Sequence, residues 1–225
     1  MLYSDSSGSA TDVFVSPITR LVLGSRVLSS ASAMEAPLPG GALAAETWYY
    51  VYGYDSSGVL ALETSTTAPD AALVFKSGTT THRYLGCFRT STGAAVLPFR
   101  SVGGRFSYRA SWDTASELQA LLATTGVSAT DVILARGGTS TKELIPPHTR
   151  MARVQSTLSA TGGEATATFL TKGDTPGTTI RQEHADGIQA SMEFLVETDS
   201  ARTVQYALTL GSTGSLTLRV VGFEE

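Results

Sequence analysis

The chain reads as an all-β protein built from two antiparallel β units joined by one short helix, and three observations predict it. Apolar residues recur at spacing two along several short segments, the periodicity of half-buried strands. Charged residues make up only 16% of the sequence, and glycine reaches 22 of 225 residues. Serine and threonine are abundant as well, a composition suited to short strands and tight turns and unfavourable to helix-rich classes. The expected organisation is an N-terminal β domain over 1–112 (a meander or sandwich), a helix and connection over 113–130, and a jelly-roll-like C-terminal sandwich over 131–225.

The first strands are expected in DVFVS and RLVLGSRVLS, a candidate docking segment, before the glycine-rich connection PLPGGALAA. Next, Trp48, Tyr50, Tyr52 and Tyr54 alternate with Thr47, Tyr49, Val51 and Gly53. A period-2 strand puts an aromatic row on one face and a mixed row on the other, so this strand is expected between two layers at the centre of a sheet. Asp55, Ser56, Ser57 and Gly58 carry turn chemistry and Val59, Leu60, Ala61 and Leu62 resume an apolar run, which predicts a hairpin. Asparagine is absent from the chain, so Ser-Gly, Thr-Gly and Gly-Gly must stand in for the favoured Asn-Gly turns. A further strand is expected over Arg83, Tyr84, Leu85, Gly86, Cys87 and Phe88, between KSGTTT and TSTG. Phe106 and Tyr108 then alternate with polar neighbours in GRFSYRASW.

The helix is predicted from Asp113 as N-cap, Glu117 in the first turns, an apolar stripe of Leu118, Leu121 and Leu122, and Gly126 as terminator. After the DVILA strand and the GGTSTKE loop come regular amphipathic strands. Ile188, Ala190, Met192, Phe194 and Val196 share one face of the first; Val204, Tyr206, Leu208 and Leu210 one face of the second; Leu216, Leu218 and Val220 one face of the third. Their spacing of roughly 12 residues, with turns at TDSAR and GSTGS, predicts a sandwich or jelly-roll half.

The order of WYYVYGY, a turn, an aliphatic strand ending in ETS, a KSG loop and RYLGCFRT resembles a module of tail-fibre, collar and related structural proteins of tailed bacteriophages. The likeness runs from Glu46 to Arg109 and continues into the pair Ser111 and Trp112. The alanine-rich stretch that follows departs from it. The resemblance implies a virion setting and, from its oligomeric habit, a homotrimer; the sequence has no heptads, so no coiled-coil trimer is expected.

A chain of 23.5 kDa can bury a substantial core without staples. Its net charge of −4 and pI near 5.4 give no basic field for phosphate backbones, which disfavours nucleic-acid partners. The single cysteine, Cys87, excludes an intrachain disulfide and a cysteine zinc cluster, and is expected as a small buried strand residue. No apolar run approaches the length needed to span a bilayer and no secretory leader is recognised, so a protein made in the host cytoplasm without membrane insertion is expected. Arginine exceeds lysine by 13 to 3, the mark of a GC-rich coding sequence.

No dinucleotide or P-loop glycine pattern and no nucleophile elbow occurs. The three histidines, His82, His148 and His184, lie in separate segments. Glu183, His184 and Asp186 form the best local cluster for a metal or an acid–base pair, but a solvated loop looks the same. A glycosidase needs carboxylates roughly 5 to 9.5 Å apart, whereas Glu193 and Glu197, on one strand face, are expected roughly 13 Å apart. No catalytic, cofactor-binding or metal residue is therefore assigned. Candidates for contact with a ligand or neighbouring subunit are Tyr49, Tyr54, His82, Arg83, Tyr84 and Trp112.

The sequence thus points to a non-enzymatic virion structural protein, a compact surface spike, fibre or decoration protein on head or tail, with other virion proteins as partners. The alternatives are a receptor- or carbohydrate-binding tail protein touching a host surface glycan, and a small polysaccharide-degrading enzyme.

Overall fold

The structure is a computed structural model and describes residues 1–4, 12–39, 43–109, 116–135, 143–171, 180–185, 187, 189–211 and 213–225, with only the backbone at position 184. Among them every regular element is a β-strand, and the sheets are antiparallel throughout. The chain divides into two compact units, Met1–Ser111 and Trp112–Glu225.

The first unit contains β1 (Leu2–Ser4), β2 (Val13–Val15), β3 (Ile18–Leu23), β4 (Arg26–Ser30), β5 (Met34–Glu35), β6 (Trp48–Ser56), β7 (Val59–Ser65), β8 (His82–Arg89), β9 (Phe99–Val102) and β10 (Arg105–Tyr108). Strands β10, β9, β1, β2 and β5 pair in that order. Strands β3 and β4 form a separate hairpin. In the third sheet β6 lies between β7 and β8. This order corrects the expected meander, because β8 returns to β6 instead of pairing with β7. The aromatic strand is apolar on both faces and loses most water when both its edges and both its faces are covered; Tyr49, Tyr50, Val51 and Tyr52 are all buried.

Aromatic rings join these layers. Phe88 of β8 stacks on Phe99 of β9 at 6.2 Å, Phe99 on Phe106 of β10 at 5.0 Å, and Trp48 meets Phe106 edge-on at 6.4 Å. Leu21, Leu23 and Leu28 of the β3–β4 hairpin pack with Leu60 in a second cluster, which Phe75 and Leu85 border.

The β6–β7 turn is the Ser-Gly hairpin that the lack of asparagine called for. Ser56 pairs with Val59, leaving Ser57 (φ 55°) and Gly58 (φ 93°) as a two-residue loop, and the Gly58 N–H donates to Asp55 Oδ1 at 2.6 Å. Both loop residues sit in the left-handed region that such hairpins require, and serine bears a penalty there. Ser57→Asn is expected to stabilise the unit by roughly 0.5–1 kcal/mol, part of the left-handed penalty that an asparagine side chain offsets. Urea titration followed by fluorescence checks this, and an unchanged or lowered midpoint contradicts it.

The second unit holds β11 (Gln119–Ala123), β12 (Val127–Ile133), β13 (Met151–Thr161), β14 (Ala165–Thr171), β15 (Ile180–His184), β16 (Gln189–Glu197), β17 (Thr203–Thr209) and β18 (Thr213–Glu224). Two four-stranded sheets result, in the orders β11–β18–β13–β16 and β12–β17–β14–β15. The three expected amphipathic strands are β16, β17 and β18, yet none pairs with the next: β17 belongs to the other sheet.

The inner faces meet through Phe169 of β14, which stacks on Phe194 of β16 at 4.9 Å. Buried Gln182 of β15 accepts from Ser156 Oγ of β13 at 2.6 Å and donates to the Ala190 carbonyl of β16 at 3.0 Å. One amide thus satisfies buried polar groups of two strands across the layer.

The expected helix is corrected to a strand over its described part. Its N-cap, Asp113, lies outside the described residues, but Leu118, Leu121 and Leu122 do not form a helical stripe. Leu118 and Ala120 are buried while Leu122 is 59% exposed, and β11 pairs along one edge of β18. The gain from completing a ladder and burying Leu118 and Ala120 outweighs helix propensities of a few tenths of a kcal/mol per residue.

Candidate functional site

The β7–β6–β8 sheet brings together residues far apart in sequence. Tyr52 of β6 lies opposite Glu63 of β7 and Tyr84 of β8; two residues on, Tyr54 lies opposite Ala61 and His82. Strand pleating puts both rows on the same face. The Tyr54 and His82 rings stack at 4.8 Å with 21° between their planes, and the Tyr84 ring lies 5.9 Å from Tyr52 and 6.4 Å from Tyr50.

Glu63 is the polar centre of this face. Its Oε1 accepts from Lys76 Nζ at 2.6 Å, and its Oε2 lies 3.2 Å from His82 Nε2. His82 Nδ1 lies 2.9 Å from Thr81 Oγ1, so the ring is held between Glu63 and Thr81. Lys76 is held by its own backbone, whose N–H donates to the His82 carbonyl at 2.9 Å, and its Nζ stands 5.9 Å from the Tyr52 ring centre. Burial, then the Glu63 carboxylate, push the Tyr52 hydroxyl well above the usual tyrosine range. It stays protonated and donates to the Thr67 carbonyl at 2.6 Å.

Two open depressions adjoin the Tyr54–His82 stack. One, of about 560 Å³, is lined by apolar Pro37, Leu38, Pro39 and Leu62 and by polar Glu63, Thr64 and Lys76. The buried Thr64 Oγ1 has no hydrogen-bond partner among the described residues. The other, of about 530 Å³, runs past Gly24, Asp55 and Thr81. Tyr54 and His82 line both. The charge at Asp55 is matched by Arg26 at 2.5 Å, as Glu63 is by Lys76.

Of the six contact candidates, Tyr54 and His82 form the site, and Tyr84 packs beside it. Tyr49 belongs to the core: it is 4% exposed, stacks on Phe88 at 5.4 Å and accepts from the Ala44 N–H at 2.8 Å. Arg83 sits opposite Gly53 in the ladder and lines neither depression. Trp112 lies outside the described residues. Sequence reasoning missed Glu63, Thr64, Lys76 and the Pro37–Pro39 shelf. The alternation Ala61, Glu63 along an otherwise aliphatic strand was the available signal for Glu63.

Elsewhere, Cys87 is buried in β8, and His148 pairs with Glu225 at 2.9 Å. Glu193 pairs with Arg153 and Glu183 with Arg181 on the surface of the second unit. Asp186 and the His184 side chain, the rest of the expected acid–base cluster, lie outside the described residues. No protein-family model matches the chain, and a search of the curated proteins finds no match.

Proposed function

We propose that this chain is a non-enzymatic structural protein of a tailed phage or phage-like particle, a compact surface spike, fibre or decoration protein acting by assembly and surface contact. The observation that carries the reading is the strand order of the second unit. Numbered within that unit, its sheets run 1-8-3-6 and 2-7-4-5, the order of a jelly roll, an architecture recurrent in viral capsid and lectin domains. The phage-module resemblance over Glu46–Arg109 supports the same setting from the other unit. In it the protein is made in the host cytoplasm, incorporated into the virion and held by contacts with further virion proteins.

A homotrimer is the assembly this reading expects. Light scattering over a concentration series should give a stable mass near three times 23.5 kDa. A monomer at every concentration overturns the trimer, and failure of the tagged chain to enter purified particles overturns the virion assignment.

The second reading, a sugar-contacting protein, is favoured by the mixed aromatic and polar surface around Tyr54 and His82.

A further inference from the structure

We propose that the depression bounded by Tyr54, His82, Glu63 and Lys76 is a binding site for an uncharged saccharide. The inference rests on the surface-contact reading above and names the ligand class that surface would take.

The chemistry of the walls selects the class. A sugar ring has apolar C–H faces and a rim of hydroxyls that both donate and accept. The depression is lined by both kinds of group, apolar Pro37, Leu38 and Pro39 and polar Glu63 and Lys76. Each Glu63 oxygen has one described partner, Lys76 on Oε1 and His82 on Oε2, and a carboxylate oxygen has capacity for a second hydrogen bond. Lys76 directs one of its three donors to Glu63. An acceptor and a donor fixed side by side suit neighbouring hydroxyls on one ring, and the Tyr52 surface beneath Lys76 limits the freedom lost when a ligand binds.

Charge pairing favours a neutral ligand over an ionic one. Lys76 is matched by Glu63, and Arg26 by Asp55 at the adjoining depression, so these pairs leave no net charge to attract an ion. A neutral hydroxylated ligand adds to both pairs without breaking either. The volume of about 560 Å³ falls within the roughly 300–1,000 Å³ of small-molecule sites. Because Tyr54 and His82 also line the second depression, a longer glycan has a place for its next unit across the stacked rings.

The test uses the full chain, fluorescently labelled, on an array of neutral and acidic oligosaccharides, with each retained glycan then titrated as free sugar. Retention of neutral glycans is expected, together with a shift of the His82 ring resonances on titration. Lys76→Ala and Glu63→Gln, both at the partly exposed rim, should each weaken binding by about tenfold or more, the loss of roughly one charge-assisted hydrogen bond, with unfolding midpoints near that of the parent. Tyr54→Ala should weaken it as well. No neutral glycan retained, retention of acidic glycans alone, or neutral binding that survives both rim substitutions overturns the site. A trimer without sugar binding removes this inference and leaves the assembly reading standing; a sugar-binding monomer does the reverse.

Discussion

Arg89→Ala is expected to destabilise the N-terminal unit by about 3–5 kcal/mol, the cost of breaking a buried charge pair from one side. Arg89 closes β8 with its side chain wholly buried, its guanidinium 3.2 Å from the Thr90 carbonyl and 4.0 Å from Glu46 Oε1. The Glu46 side chain is itself only 13% exposed. Removing the cation leaves a carboxylate in a poorly solvated place and empties a volume that β8 and its neighbours cannot refill. Arg89→Lys keeps the charge but loses the planar fork, so it should fall between parent and alanine variant. Urea unfolding followed by tryptophan fluorescence, with Trp112 replaced by Phe in every variant so that Trp48 reports, measures both. A loss below about 1 kcal/mol for alanine, the scale of an exposed pair, would show that the guanidinium is not the organising group here.

Phe169→Ala should have a comparable effect on the second unit, about 3–5 kcal/mol, by leaving a cavity between the two sheets. Phe169 is fully buried and stacks against Phe194 at 4.9 Å. Phe194→Ala should cost less, since that ring is only partly buried. The double variant should cost less than the sum of the two, with a coupling of about 0.5–1.5 kcal/mol, the range for aromatic pairs. Thr168→Ala on the outer face of the same strand serves as the control. Equal losses at positions 168 and 169 would mean that the face assignment of β14 is wrong.

What the sequence made legible follows from which interactions are local. The alternation in Trp48–Tyr54 reported a strand covered on both faces, and Ser57–Gly58 reported its turn, because pleat and turn geometry are set within a few residues. The same alternation located β16, β17 and β18 and their inner faces. It said nothing of partners: period two assigns a side chain to a face and leaves the neighbouring strand open, so the alternation of these strands between sheets was not readable. Leu118, Leu121 and Leu122 satisfy helical spacing as well as a short strand does. Only the edge of β18, nearly a hundred residues later, decides between them. The site was half visible for the same reason. Tyr54 and His82 announced themselves as aromatic and ionisable strand residues, whereas Glu63 and Lys76 matter through contacts across β6 and from a loop. Tyr49 was a contact candidate beside Tyr54 although the alternation put it on the opposite face, and the stacking partner Phe88 that buries it lies on another strand.

The position of β18 between β11 and β13 also sets the order in which this unit can come into being on the ribosome. The sheet has no middle until its last strand emerges. At about 5–20 residues per second, the roughly sixty residues between the ends of β13 and β18 take about 3–12 s to synthesise, and for that time β13 offers a bare hydrogen-bonding edge to any other nascent copy nearby. A topology of long-range pairings closes slowly even afterwards. Nascent copies crowded on one message are therefore most exposed to mispairing during that interval.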